Sequence, residues 1–122
     1  MNLERIKQVY LLGIGGIGMS GLARYFQHLG FAVYGYDKVE TELTQTLAAE
    51  GISIVYTDDV ETLPAAFRTP ADDALLIFTP AIPKDLALKN YFVDAGFTLY
   101  KRSEVLGIIS ASRFTIAVAG TH

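Results

Sequence analysis

The glycine-rich segment Gly13-Ile-Gly-Gly-Ile-Gly18 constrains the fold of this chain more than any other feature. It follows the apolar run Val9-Tyr-Leu-Leu12, and its glycines match the pattern G-x-G-x-x-G. In such a turn Gly13 allows a tight bend, Gly15 leaves room for a pyrophosphate, and Gly18 lets helix and strand pack closely. The segment therefore predicts a strand, a turn and a helix whose N-terminus binds a diphosphate.

The rest of the chain alternates short apolar runs with amphipathic segments. Predicted strands cover residues 7–12, 32–36, 52–56, 74–78 and 98–100. Predicted helices cover residues 18–29, 41–50, 85–95 and 103–110, with Ser103 as an N-cap, and residues 58–67 form a short helix or turn. Half of the residues (51%) are hydrophobic, which suits a sheet that is covered on both faces. This pattern predicts an α/β, Rossmann-like, doubly wound parallel sheet of five strands in the order 3-2-1-4-5.

Ligands of doubly wound sheets bind at the carboxyl ends of the strands, where the strand order reverses. Here that point lies between the first and fourth strands. It brings together residues 13–18, including Gly16 and Ile17, the acid Asp37, and a stiff loop with two prolines that contains Thr79 and Ala81. Asp37 is predicted to bond a ribose or a base of the nucleotide, and the alternative is a turn or N-cap residue.

Composition weighs against several other classes of function. The net charge is −3 and no basic block occurs, so a nucleic acid or an anionic membrane is not an expected partner. The chain has no cysteine, which excludes disulfides and thiolate metal sites and fits a reducing cytoplasm. Asp58, Asp59 and Glu61 are interpreted as a solvated helix N-terminus, and no metal site is predicted. The uncharged stretch at residues 8–23 is too short to span a bilayer.

The C-terminal residues point to a second domain. Residues 114–119 are predicted to form a buried strand, and Gly120, Thr121 and His122 follow it as the first residues of a phosphate-binding loop. The second glycine and the lysine of that loop would come later. We therefore expect residues 1–112 to form one nucleotide-binding domain and residues 113–122 to begin a second, truncated domain that is loosely attached in this chain.

The two ends together resemble the Mur ligases of peptidoglycan synthesis. The run Leu12-Gly-Ile-Gly-Gly-Ile-Gly-Met-Ser-Gly21 is similar to the N-terminal loop of the member that joins L-alanine to UDP-N-acetylmuramate, and Ala117-Val-Ala-Gly-Thr-His122 is similar to the start of the family's ATP loop. The resemblance implies a three-domain cytoplasmic enzyme in which residues 1–112 hold UDP and residues 113–122 begin the ATP-binding central domain. The other domains would bind ATP, magnesium and L-alanine, so this fragment would have no cofactor and no activity alone.

Carried onto this sequence, the resemblance implies that the N–H groups of residues 15–18 meet the diphosphate. Asp37 would lie near the uridine, and the loop at residues 79–82 would approach the sugar. Tyr36 and Thr79-Pro80 depart from the serines that are common in the family at these places. The alternatives are an NAD(P)-binding domain of a dehydrogenase or ion-channel regulator, with Asp37 on the adenine ribose, and a nucleotide-sensing module. The interrupted ATP loop weighs against the dinucleotide alternative.

Overall fold

The computed structural model describes residues 3–120, with side chains described for residues 3–111. Its five strands are β1 (Gln8–Leu12), β2 (Ala32–Tyr36), β3 (Ser53–Val55), β4 (Ala74–Phe78) and β5 (Leu99–Lys101). Its helices are α1 (Met19–His28), α2 (Glu42–Ala49), α3 (Ala87–Ala95) and α4 (Arg102–Gly120). All strand pairs are parallel and the order is β3-β2-β1-β4-β5, which confirms the predicted fold.

Alternation along the central strand β1 divides the core into two layers. Val9 and Leu11 face a layer that α1, α2 and α4 cover, whereas Tyr10 and Leu12 face a layer that α3 covers. Successive residues of a strand point to opposite faces, so a continuous apolar run serves both layers. Because β2 and β4 both pair with β1 in parallel, the carboxyl ends of these three strands meet at one edge of the sheet.

The segment between β3 and β4 differs from the short helix that was one of its two predicted forms. It contains two 3-10 turns, Val60–Thr62 and Ala65–Phe67, with Pro64 between them. Proline has no N–H to donate and disfavours helical geometry in the residue before it, so the segment cannot form one continuous helix. Leu63 and Phe67 are nevertheless buried against the sheet.

Helix α4 corrects two predictions. Ser103 is its second residue instead of its N-cap, and Glu104 accepts the Lys101 N–H at 2.8 Å. The helix continues to Gly120 through residues 114–119, where a strand was predicted. A strand needs a neighbour for its hydrogen bonds, and no described strand pairs with this segment, whereas a helix satisfies those bonds locally. The boundary at residue 113 therefore stays a prediction.

Within residues 3–120, every helix is too short or too polar to cross a lipid bilayer.

Candidate functional site

The glycine loop leaves the carboxyl end of β1 and is tied to β2. The N–H groups of Gly13 and Ile14 both donate to the Tyr36 carbonyl, at 2.8 and 3.0 Å. Gly13 has φ 90°, a conformation that side chains disfavour. Ile14 is fully buried and lies over Gly35, where a Cβ atom would come within 2.5 Å of the Ile14 side chain. The loop is thus packed down onto the sheet.

Asp37 lies beside this loop and bonds its backbone. Its Oδ2 atom accepts the Gly15 N–H at 2.8 Å, and its Oδ1 atom accepts the Val39 N–H at 3.1 Å. A Cβ atom on Gly15 would lie 2.9 Å from Asp37 Oδ2 and 3.0 Å from Thr44 Cγ2. These two side chains therefore occupy the space that was expected to be left for a pyrophosphate at Gly15. The predicted contact between Asp37 and a nucleoside stays a prediction.

Thr44 and Tyr56 support this arrangement, and sequence analysis missed both. Thr44 is fully buried, and its hydroxyl accepts the Thr41 N–H at 2.8 Å in the capping box of α2. The Tyr56 hydroxyl donates to Thr44 Oγ1 at 2.9 Å. The two threonines at the start of a predicted helix were a detectable capping signal, but Tyr56 reaches Thr44 only through the pairing of β2 with β3.

The outer part of the glycine loop presents unpaired donors. The Gly16 N–H bonds the Gly13 carbonyl and the Met19 N–H bonds the Gly16 carbonyl, at 2.9 and 3.0 Å. Four N–H groups donate no hydrogen bond within the described residues, namely those of Ile17, Gly18, Ser20 and Gly21. They surround the start of the ten-residue helix α1. Free N–H groups and the positive end of a helix dipole favour an anion at this point.

Arg102 adds a positive charge to the same place. A Cβ atom on Gly18 would lie 2.7 Å from its Nη1 atom, so the guanidinium rests against the loop. It forms no ion pair within the described residues. A guanidinium beside free N–H groups is well suited to phosphate oxygens. Sequence analysis did not identify Arg102, because the contact depends on how α4 packs beside α1.

The loop after β4 completes the edge. A Cβ atom on Gly13 would come within 2.5 Å of the Thr79 side chain, and the Thr79 N–H donates to the Leu12 carbonyl at 3.4 Å. Ala81 is exposed, and its N–H donates to the Thr79 hydroxyl at 3.5 Å. The glycine loop, Asp37 and this loop are therefore neighbours at one edge, which is the arrangement that the sequence predicted.

The acids after β3 have structural roles. The Asp58 carboxylate accepts the N–H groups of Ala87 and Leu88 at 2.7 and 2.8 Å and so caps α3 from a distant part of the chain. Asp59 caps the turn Val60–Thr62 by accepting the Glu61 N–H at 2.9 Å. Among residues 3–120, no three His, Cys, Asp or Glu side chains are grouped so that they could hold a metal ion.

The Tyr36 side chain lies close enough to the Asp58 and Asp37 carboxylates for both to influence its hydroxyl. Its side chain is buried against the α3 layer of the core. Burial, with the nearby negative charges of Asp58 and Asp37, raises the pKa of the Tyr36 hydroxyl above its ordinary value. The phenol therefore stays neutral at physiological pH.

The ATP-loop prediction falls at the end of the chain. Gly120 is the last residue of α4. Thr121 and His122 lie outside the described residues. The prediction that these three residues begin a phosphate-binding loop stays a prediction.

Comparison with known proteins agrees with this architecture. The model of the Mur ligase family, catalytic domain, matches residues 8–114. The UDP-N-acetylmuramate–L-alanine ligases of Cytophaga hutchinsonii and Flavobacterium johnsoniae are 52% and 47% identical to the whole chain, which spans 26% and 27% of their lengths. The crystal structure of the UDP-N-acetylmuramate-alanine ligase MurC from Thermotoga maritima superposes with a TM-score of 0.69 at 28% identity, over 89% of this chain and 22% of that one. This chain belongs to the Mur ligase family.

Proposed function

We propose that this chain is the part of a UDP-N-acetylmuramate–L-alanine ligase that binds the UDP group of the sugar nucleotide. The observation that carries the proposal is the group of four unpaired N–H groups at the start of α1, with the Arg102 guanidinium against Gly18. Together they form a positive, donor-only site at the carboxyl edge of the sheet, which matches the chemistry of a diphosphate. Relatives that are named as this ligase cover the whole chain.

In the proposed function, the N–H groups of Ile17 and Gly18 bind diphosphate oxygens, and Arg102 neutralises their charge. The uridine extends toward Asp37 and the sugar toward Thr79. In the family's reaction ATP phosphorylates the lactyl carboxylate, and the amine of L-alanine then attacks the acyl phosphate. ATP, magnesium and L-alanine belong to other domains of the whole enzyme, so the role of this chain is to bind and orient one substrate.

The proposed compartment is the cytoplasm. A chain without cysteine is compatible with its reducing conditions. We propose no cofactor for residues 1–112, and residues 113–122 remain the proposed beginning of the ATP-binding domain.

Calorimetric titration of this chain with UDP, UDP-N-acetylmuramate and NADH tests the proposal. We expect binding of both uridine nucleotides and none of NADH. Arg102→Met should weaken UDP binding roughly tenfold or more, since it removes a charged donor. Lys101→Met is the matched control, because it removes an adjacent exposed positive charge that the structure does not place against the loop. Tight NADH binding without UDP binding would show instead that the chain is a dinucleotide-binding domain.

A second assay tests whether the isolated chain has ligase activity. With UDP-N-acetylmuramate, L-alanine, ATP and magnesium, the isolated chain should release no phosphate. Measurable ATP-dependent release would contradict the proposal that the chemistry lies in other domains.

A further inference from the structure

The inner N–H groups of the glycine loop form hydrogen bonds within the protein. Those of Gly13 and Ile14 bond β2, and that of Gly16 bonds the Gly13 carbonyl. The Gly15 N–H is the remaining inner donor, and it bonds Asp37 Oδ2 at 2.8 Å. A bound diphosphate therefore has the outer N–H groups available to it, beginning at Ile17.

Asp37 is itself held at three points. Its N–H donates to the Val55 carbonyl on β3 at 3.1 Å, its Oδ1 atom accepts the Val39 N–H, and its Oδ2 atom accepts the Gly15 N–H. Hydrogen bonds to a carboxylate are about twice as strong as those between neutral groups. Through its carboxylate and its backbone N–H, Asp37 thus connects the glycine loop to the ends of β2 and β3.

Thr44 packs against the glycine loop at Gly15. Its methyl group would lie 3.0 Å from a Cβ atom on Gly15, and its hydroxyl is fixed by Thr41 and Tyr56. The Gly15 backbone is consequently seated between the Asp37 carboxylate and a fully buried side chain. Without the bond to Asp37, only this packing would hold the loop at Gly15.

We propose that Asp37 is a positioning residue for diphosphate binding and acts through Gly15, whether or not it also meets a nucleoside. This inference rests on the proposed function and adds to it the residue that holds the anion-binding loop in shape. The carboxylate fixes the inner turn, and the fixed turn directs the outer N–H groups toward the ligand. Preorganised donors bind more tightly, because no ordering cost remains to be met on binding.

Asp37 carries a negative charge near the proposed diphosphate site. A negative charge close to an anion site opposes anion binding, so removing it should tighten the binding of a diphosphate if charge alone mattered. The proposed role predicts the opposite effect. Inorganic pyrophosphate is the informative probe, because it contains the diphosphate but neither ribose nor uracil.

The experiment measures UDP binding, and its competition by pyrophosphate, for the wild type, Asp37→Ala and Asp73→Ala. Asp73 is the matched control, because it precedes β4 at the opposite edge of the sheet and also accepts a hydrogen bond, from Gln8 at 3.5 Å. Asp37→Ala should weaken both ligands by roughly tenfold or more, the effect of losing hydrogen bonds to a charged group. Asp73→Ala should change neither affinity.

Amide hydrogen exchange measured by NMR gives a readout that a general loss of stability does not reproduce. In the free protein, Asp37→Ala should abolish protection of the Gly15 amide, while the amides of β1 keep theirs. Should Asp37→Ala fail to fold, Asp37→Asn replaces it, since the amide keeps one acceptor oxygen and should give a smaller loss of the same kind.

Three results would overturn the inference. If Asp37→Ala weakens UDP but leaves pyrophosphate unchanged, Asp37 acts by direct contact with the nucleoside and the proposed function stands. If the wild type binds UDP but pyrophosphate does not displace it, the loop does not bind the diphosphate. If the wild type binds no UDP, the proposed function fails and this inference fails with it.

Discussion

The Tyr10 hydroxyl is a buried polar group without a partner, and its removal should stabilise the protein. Tyr10 lies on β1 with 2% of its surface exposed, and its hydroxyl has no hydrogen-bond partner among the described residues. Its ring contacts Phe67 and Phe92 edge-on, with centroids 5.4 and 5.5 Å away. Tyr10→Phe keeps those ring contacts and removes only the unsatisfied oxygen.

Leaving a buried hydroxyl unpaired costs about 1–3 kcal/mol, and part of this is offset by the small void that the substitution leaves. We therefore expect Tyr10→Phe to raise the free energy of unfolding by about 1 kcal/mol. Tyr91→Phe is the matched control, since its hydroxyl donates to the Arg68 carbonyl at 2.6 Å in the same core layer. That variant should lose about 1 kcal/mol, the usual net value of a hydrogen bond.

Urea unfolding followed by circular dichroism measures both variants, and calorimetry checks the sign, with a shift of roughly 3–5 °C per kcal/mol for a domain of this size. The two substitutions delete the same atom, so opposite signs would isolate the effect of hydrogen-bond satisfaction. A loss of more than about 0.5 kcal/mol in Tyr10→Phe would refute the reasoning, because it would show that the hydroxyl has a stabilising partner such as a buried water.

Three further outcomes are expected from the same unfolding assay. Burial, with smaller effects of Asp58 and Tyr36, raises the pKa of the Tyr10 hydroxyl. The stability that depends on a neutral Tyr10 is therefore fully present below the unfolded pKa of about 10 and is lost as the pH rises further. The advantage of Tyr10→Phe over the wild type should accordingly grow between about pH 10 and 12, and a constant difference would contradict the shift. Gly35→Ala should cost about 1–3 kcal/mol through overpacking, because its Cβ would meet the buried Ile14 side chain at 2.5 Å. Gly107→Ala should gain about 0.5–1 kcal/mol, because that exposed helical position has nothing within 4 Å; a loss there would show an unseen contact.

Much of the architecture was predictable because it depends on local periodicity. The alternating strands and helices, the glycine turn and the strand order follow from chain-local patterns and from the handedness of parallel crossovers. The structure departs from the predicted elements where a proline or the lack of a pairing strand determined the backbone conformation. Pro64 excluded the helix that was one of the two forms predicted for residues 58–67, which form two turns. Residues 114–119 include β-branched side chains that favour a strand, but they lie in α4 since no described strand pairs with them.

In the candidate site, too, the local features could be predicted and the long-range contacts could not. Its position at the carboxyl edge, its glycines and Asp37 could be found from the sequence, because the loop and the acid follow directly after β1 and β2. The contact of Arg102 with Gly18 and the approach of Thr44 to Gly15 could not, since these pairs are far apart in the chain and carry no spacing rule.

From the sequence alone, the start of α1 could be identified as a segment with unpaired donors, because unpaired helix N–H groups are a property of the local backbone. The role of Gly15, in contrast, depends on contacts between segments that are distant in the chain. Its missing side chain makes room for Asp37 and Thr44 within the protein, and that choice depends on how α2 and β2 pack against the loop. Local geometry creates the donors, and the packing of distant segments determines which of them are left for a ligand.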